Sequence, residues 1–364
     1  MRLKELTDHL ESIAPLAYQE SYDNSGLICG DPQMEITSAL ICLDSTEAVI
    51  DEAIEMGCNL VIAHHPIVFG GLKKFTGKNY VERVIIKAIR NNIAIYAAHT
   101  NLDNMQDGVN AKIAEKLGLT NCSILAPVKN SLKRLITFAP DDHAEAVRSA
   151  LFAAGGGSIG NYDECSFNSS GTGTFRANEG ANPFVGKIGE QHKEKETKIE
   201  TIYPAHSESR ILKALFSVHP YEEVAYDLIP LTNVDKTVGA GMIGELQTEM
   251  DEIAFLKQLK QVMKAGSVRY TALKNKKINK IAVCGGSGSF LLHNAIQAGA
   301  DVFVTADFKY HQFFDAENRI VIADIGHYES EQYTMELFYE IFSKKFSTFA
   351  LHLSKINTNP IKYL

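Results

Sequence analysis

Leu60-Val61-Ile62-Ala63-His64-His65-Pro66-Ile67-Val68-Phe69-Gly70 is the stretch from which the fold is read. Its short apolar run, bounded by Gly57 on one side and by Pro66 and Gly70 on the other, predicts a buried strand. Two adjacent histidines stand at the carboxyl end of that strand. In open α/β sheets ligands bind at this edge, and neutral imidazole is a common ligand for zinc, iron or manganese. Pro66 keeps His65 extended, so successive side chains point to different sides. Such a pair serves two neighbouring ions more readily than it pinches one. A histidine dipeptide alone fits two satisfied polar residues at a strand end equally well, so the rest of the chain must decide.

The 364 residues exceed one ordinary core and predict two or three domains. Hydrophobic residues at 45% and charged residues at 22% are those of a globular protein in water. A net charge of −8 argues against a nucleic-acid partner, which needs clustered Lys and Arg. A small anionic ligand held by a metal or a local patch stays compatible with it. The six cysteines are scattered without a CxxC pair, which suits a reducing cytosol and gives no zinc-finger signal. The first ten residues read as an amphipathic helix rather than a leader, and no apolar run is long enough to span a membrane. A cytoplasmic protein is expected.

Residues 1–126 alternate strands and helices. A strand is predicted at 39–43, then a helix capped by Thr46 that ends at Met56 and Gly57. After the His-His strand come a helix over 80–91, a strand over 93–97 that runs into His99-Thr100-Asn101-Leu102-Asp103, and a helix over 109–117. This alternation predicts a largely parallel sheet covered by helices.

Residues 127–238 differ. Strands at 134–138 and 197–203, helices at 143–154 and 208–218, and an alternating strand ending at Leu228 fit a ferredoxin-like α+β domain. The low-complexity middle, with Gly155-Gly156-Gly157, the Ser/Gly/Thr cluster of 168–174 and the charged run of 191–198, reads as mobile loop.

From residue 239 to 364 the α/β pattern resumes. Ala298-Gly299-Ala300-Asp301-Val302-Phe303-Val304-Thr305 matches the shape of Met56-Gly57-Cys58-Asn59-Leu60-Val61-Ile62-Ala63. A third strand, 320–323, leads into Asp324-Ile325-Gly326-His327-Tyr328-Glu329-Ser330-Glu331. His327 and Glu331 repeat the four-residue spacing of His99 and Asp103. The expected architecture is therefore two similar, duplicated α/β halves that form one metal-binding domain and are interrupted by the α+β domain.

Residues four apart share one helix face, so His327 and Glu331 can converge on one cation. By themselves they also fit an ordinary exposed helix pair. With His64, His65 and Asp103 they make three imidazoles and two carboxylates at strand ends. That N/O mixture without thiolate suits zinc first, with Fe(II) or Mn as alternatives. Five ligands are too many for one catalytic zinc with an open position, and about right for two divalent ions sharing a carboxylate. Ions so paired lie about 3.5–4 Å apart and activate water for hydrolysis.

Five motifs carry a family resemblance: Asp23-Asn24-Ser25-Gly26-Leu27, Ala63-His64-His65-Pro66, Ala98-His99-Thr100-Asn101-Leu102-Asp103, Gly285-Gly286-Ser287-Gly288-Ser289, and Asp324-Ile325-Gly326-His327 with Glu331. In this order they resemble the Nif-three-like family, also called the GTP cyclohydrolase I type 2 family. The resemblance implies a dimetal centre on His64, His65, Asp103, His327 and Glu331 in a homohexameric toroid. The middle segment, with His219-Pro220-Tyr221-Glu222-Glu223, is similar to the PII/CutA-like domain of longer bacterial members.

Further residues carry weaker expectations. His99 reads as a candidate catalytic residue that orients Asp103 or binds substrate rather than as a ligand. Gly285 to Ser289 is either a phosphate-binding turn or simply a tight turn. Lys73, Lys74 and Lys78 either meet a phosphate or are solvated. Tyr310 and His311 face the cleft if the halves are duplicated. His219, Tyr221 and Glu222 belong to packing or to an oligomer contact. Two functions fit: a metal-dependent hydrolase of a nucleotide or phosphorylated heterocycle, and a metal-binding adaptor whose PII-like domain senses a ligand or partner.

Overall fold

The computed structural model describes residues 1–364. The chain divides into two compact units, Met1–Ala126 with Val238–Leu364, and Pro127–Thr237. No helix is long and apolar enough to cross a membrane.

The first unit opens with α1 (Leu3–Ile13), which buries Leu3, Leu6 and Leu10 on one face. Then come β1 (Gly26–Cys29), β2 (Ser38–Asp44), α2 (Glu47–Glu55) and β3 (Leu60–His65). The segment ends with α3 (Tyr80–Arg90), β4 (Ala94–Ala97), α4 (Thr100–Asp103), α5 (Val109–Lys116) and β5 (Leu119–Pro127). Thr46 caps α2 by accepting from the Val49 amide, and Asn79 caps α3 by accepting from Glu82 at 2.9 Å. Gly57 ends α2 with φ +68°, a left-handed position that only glycine takes at little cost.

The second unit contains β6 (Leu132–Pro140), α6 (Ala144–Ala153), β7 (Ser166–Arg176), β8 (Gln191–Pro204), α7 (Glu208–Val218) and β9 (Tyr226–Pro230). Its antiparallel sheet has the order β7-β8-β6-β9, which with two helices is the ferredoxin-like arrangement. Leu135, Val147, Leu151, Ile199, Tyr203, Ile211 and Leu215 close its core. The expected mobile loop is not one. Residues 168–174 and 191–198 pair continuously as β7 and β8, from Ser166 opposite Thr201 to Arg176 opposite Gln191. Much of this hairpin is solvated on both faces, so it lacks the apolar alternation that marks a strand, and the backbone ladder holds it instead.

The first unit resumes with β10 (Gly239–Asp251), α8 (Glu252–Val262), β11 (Arg269–Tyr270), β12 (Lys277–Ser287) and α9 (Leu292–Gln297). It ends with β13 (Val302–Ala306), β14 (Val321–Asp324), α10 (His327–Glu331), α11 (Thr334–Lys345) and β15 (Ala350–Leu353). Two sheets result, β1-β4-β3-β2-β15 and β11-β14-β13-β12-β10-β5. Each contains three parallel strands flanked by an antiparallel edge, β1 against β4 and β11 against β14, in the same order. They differ at the next strand, since β15 runs parallel to β2 and β10 antiparallel to β12. The sheets also depart from the expected 1–126 and 239–364 halves: β5 joins the second sheet and β15 the first.

Period-two burial explains the layering. Ile41, Ile62 and Tyr96 face inward, with Ile281, Val283 and Val304 of the other sheet and the apolar faces of α1, α5, α8 and α11, in one core. Their neighbours Leu40, Val61 and Ile95 pack outward on α2 and α3, and Ala282, Phe303 and Ile322 pack toward α9. Strands buried on both faces read as continuous apolar runs, which is how the His-His strand announces itself.

Candidate metal centre

The carboxyl ends of β3, β4 and β14 bring the expected residues together. His64 is fully buried, and its Nδ1 donates to the Ala98 carbonyl at 2.9 Å. That bond fixes the tautomer and turns the Nε2 lone pair inward. Nε2 lies 3.6 Å from Asp103 Oδ1 and 3.7 Å from Glu331 Oε1, beyond hydrogen-bond length. Both Nε2 and Asp103 Oδ1 are buried without a hydrogen-bond partner. Burial pushes the His64 pKa down to about 4, so the ring is neutral. Burial, reinforced by the Glu331 charge, raises the Asp103 carboxyl well above its usual range.

His65 and His327 make the second cluster. His65 Nδ1 meets Asp44 Oδ1 at 2.8 Å, and its Nε2 meets Glu331 Oε2 at 2.9 Å. His327 Nδ1 meets Asp307 Oδ2 at 2.6 Å, while its Nε2 lies 3.1 Å from Glu331 Oε2 and 3.3 Å from His65 Nε2. Burial opposes charge on both rings, but Glu331 and the flanking aspartates outweigh it and raise them to about 10 and about 11. The same two rings overcome burial at Glu331 and hold its carboxyl well below the usual range.

Beside a group of three imidazoles, His64, His65 and His99, two donor sets contain carboxylates, His64 with Asp103 and Glu331, and His65 with His327 and Glu331, each within 4.8 Å. Glu331 belongs to both. Its Oε1 faces the first and its Oε2 the second. An orphaned imidazole nitrogen beside an orphaned carboxylate oxygen, in a wholly N/O donor set, fits a divalent cation. His65, His99, Asp103, His327 and Glu331 open onto a cavity of about 630 Å³ that no lysine or arginine lines.

His99 does not orient Asp103 with its side chain. Its Nδ1 meets Asp23 Oδ1 at 2.8 Å, and its ring centroid lies 5.2 Å from His64 and 5.3 Å from His65. Burial opposes charge on Asp23, but His99 and Thr100 hydrogen bonds keep its carboxyl below the usual range.

Residues 1–360 match the model of Duf34/NIF3 (NGG1p interacting factor 3). The chain belongs to the Duf34/NIF3 family. It is 44% identical over 319 residues to a GTP cyclohydrolase 1 type 2 homolog of Halalkalibacterium halodurans, covering 87% of this chain and 86% of that one. It is 38% identical to a homolog of the same name from Bacillus subtilis, over 97% of this chain and 96% of that one. The crystal structure of a Bacillus cereus protein related to NIF3 superposes with a TM-score of 0.87 at 40% identity, over 100% of this chain and 99% of that one. The Nif-three-like resemblance is thereby borne out.

For several residues of this NIF3-family chain the structure decides between readings that the sequence leaves open. The Gly285 to Ser289 turn offers little to a phosphate, because three of its amides are already used. Gly285 N donates to Asn110 Oδ1 at 3.0 Å, Gly286 N to Ser330 Oγ at 2.9 Å, and Gly288 N to Thr305 Oγ1 at 3.1 Å. Gly285 and Gly286 instead clear space for Glu331. Lys73, Lys74 and Lys78 are exposed and line no part of the cavity. Tyr310, 74% exposed, and His311 lie outside it as well. In the second unit His219 Nε2 donates to the Phe138 carbonyl at 2.9 Å and Tyr221 OH to Glu196 Oε1 at 2.8 Å, while Glu222 accepts from the Asn182 amide at 2.9 Å. Sequence reading missed Asp44, Asp307 and the Ala98 carbonyl, which orient His65, His327 and His64. A metal-bound histidine commonly hands its other ring nitrogen to such a partner. An aspartate at or just after a strand's carboxyl end is the signal that finds Asp44 and Asp307.

Proposed function

We propose that this chain holds two divalent cations, zinc first among them, and hydrolyses a nucleotide or phosphorylated heterocycle. The observation that carries this reading is Glu331, whose two carboxylate oxygens serve two histidine sets while His64 Nε2 and Asp103 Oδ1 wait beside it. His64, Asp103 and Glu331 would hold one cation, and His65, His327 and Glu331 the other. Cations paired there would supply Lewis acidity toward a substrate oxygen and lower the pKa of a water near neutral pH. His99, steadied by Asp23, faces the cavity where it can move a proton. Relatives named GTP cyclohydrolase 1 type 2 homolog support this class of reaction. The shared order of the first four strands in the two sheets supports a duplicated pair of α/β halves that meet at the donor residues. A cytoplasmic homohexameric toroid, with the second unit as a PII/CutA-like domain, completes the reading.

Metal analysis joined to a nucleotide and phosphoester screen tests it. About two metals per chain with turnover lost in Glu331→Ala supports the hydrolase, whereas absence of metal from the purified protein overturns it. One observation favours an adaptor. The second unit has its own cavity of about 740 Å³, with Phe138, Phe175, Phe184 and Tyr221 in its wall. Two bound metals without turnover on any candidate would move the assignment to ligand sensing.

A further inference from the structure

After β15 the chain crosses from the first sheet of its unit toward α10 of the second and touches groups behind both. Ser354 N donates to the Ile41 carbonyl at 2.8 Å and Lys355 N to Glu52 Oε1 at 2.8 Å, which anchors the segment on β2 and α2. Thr358 Oγ1 then donates to Asp44 Oδ2. Asn359 Nδ2 donates to Glu329 Oε1 at 3.0 Å. Farther on, Tyr363 packs against Gly266, where an added Cβ would stand 2.0 Å from its ring. Thr358 to Ile361 also form part of the wall of the metal cavity.

These contacts reach the donor atoms in two steps. Asp44 has one oxygen on Thr358 and the other on His65 Nδ1, 2.8 Å away. Its carboxylate is therefore clamped from both ends, and the direction of the His65 ring follows from the clamp. On the other side Glu329 is buried in α10 between His327 and Glu331, the helix that supplies half the donors. A short helix of five residues has little stability of its own, so an anchor on Glu329 matters for where those donors sit.

We propose that residues 354–361 are a strap that completes the metal centre. Thr358 positions His65 through Asp44, and Asn359 positions α10 through Glu329. This inference rests on the metal-binding reading above. A tail that merely packs would give its stabilisation through area and shape. A strap acts through specific polar groups, of which the Thr358 hydroxyl is removed without changing shape, and that difference is measurable.

The test uses the full chain, stripped with chelator and titrated with Co(II), whose visible bands report ligand geometry. Thr358→Val keeps the shape of the side chain and removes the hydroxyl, and Thr358→Ser keeps the hydroxyl. Thr358 lies on a terminal segment outside the hydrophobic clusters, so both variants fold, as circular dichroism will verify. Thr358→Val is expected to weaken Co(II) binding by up to about tenfold, the low end of the effect of losing a direct partner of a metal-bound histidine because Thr358 stands one step behind Asp44, and to alter the cobalt bands. Thr358→Ser is expected to restore both. Wild-type affinity and bands in Thr358→Val, or a Thr358→Ser as defective as Thr358→Val, overturns the strap. Failure of the wild type itself to take up Co(II) would instead overturn the metal-binding reading, and the strap with it.

Discussion

A Cβ placed on Gly286 would stand 2.3 Å from Glu331 Oε1 and 3.2 Å from His327 Cε1. No side chain fits there, and the backbone of Gly286 is left-handed at φ +59°. The glycine turn between β12 and α9 is thus the socket of the shared carboxylate. Gly286→Ala is expected to displace Glu331 and weaken binding of both cations at least about tenfold, with a conformational penalty of about 1–2 kcal/mol in stability. Chelator competition and thermal melting measure the two effects separately. Unchanged affinity with a lowered melting temperature would mean that the turn supports the fold alone.

Glu331 faces both of the donor sets that contain a carboxylate, whereas His65 and Asp103 each face one of those two. Counting metals in single variants therefore discriminates. His65→Ala and Asp103→Asn are each expected to lose about one ion per chain, and Glu331→Ala about two. Elemental analysis after gel filtration gives the counts. Equal losses in all three would show that the ions do not share Glu331.

Much of this was legible before any coordinates. The His-His strand and its neighbours stand out because strands buried on two faces are continuous apolar runs, and the Thr46 cap and Gly57 stop are local signals. The donor set was legible because His64 and His65 close a strand, and Asp103, His327 and Glu331 lie on the short helices that directly follow two others. What lay beyond reach was long-range. Nothing local tells that β15 returns to the first sheet or that β5 leaves it, since edge pairing is settled by tertiary packing. The β7–β8 hairpin hid because its polar faces carry no period, and Asp44 and Asp307 hid because an aspartate at or just after a strand's end is also a common turn residue.

Asp307 orients His327 much as Asp44 orients His65, and its hydrogen bond to that ring is what chiefly holds its own carboxyl below the usual range. Asp307→Ala leaves the imidazole free to turn. Affinity for the cation of the His65–His327 set should fall about 10–100-fold while the other cation stays. Sequential zinc competition with two chelators of different strength reads the two sites. Loss of both ions together would instead tie Asp307 to the whole centre.

In chelator-stripped protein, His65 and His327 hold protons up to about pH 10 and about 11, because after the opposing effect of burial Glu331 dominates. A cation needs the same lone pairs, so binding must expel those protons. Affinity should therefore rise between pH 6 and pH 8 by up to about two log units per pH unit. Calorimetry of zinc binding in buffers of different ionisation heat counts the protons released. Stability follows the opposite course in stripped protein. Both folded-state values lie above the unfolded value of about 6.5, so their contribution is complete below that pH and is lost as pH climbs toward about 10 and 11. Melting temperatures of the stripped form should thus fall, as far as these groups set them, from pH 6 to pH 10. Those of the zinc-loaded form should rise from pH 6 to pH 8. Release of no protons would show that neither ring donates to the metal.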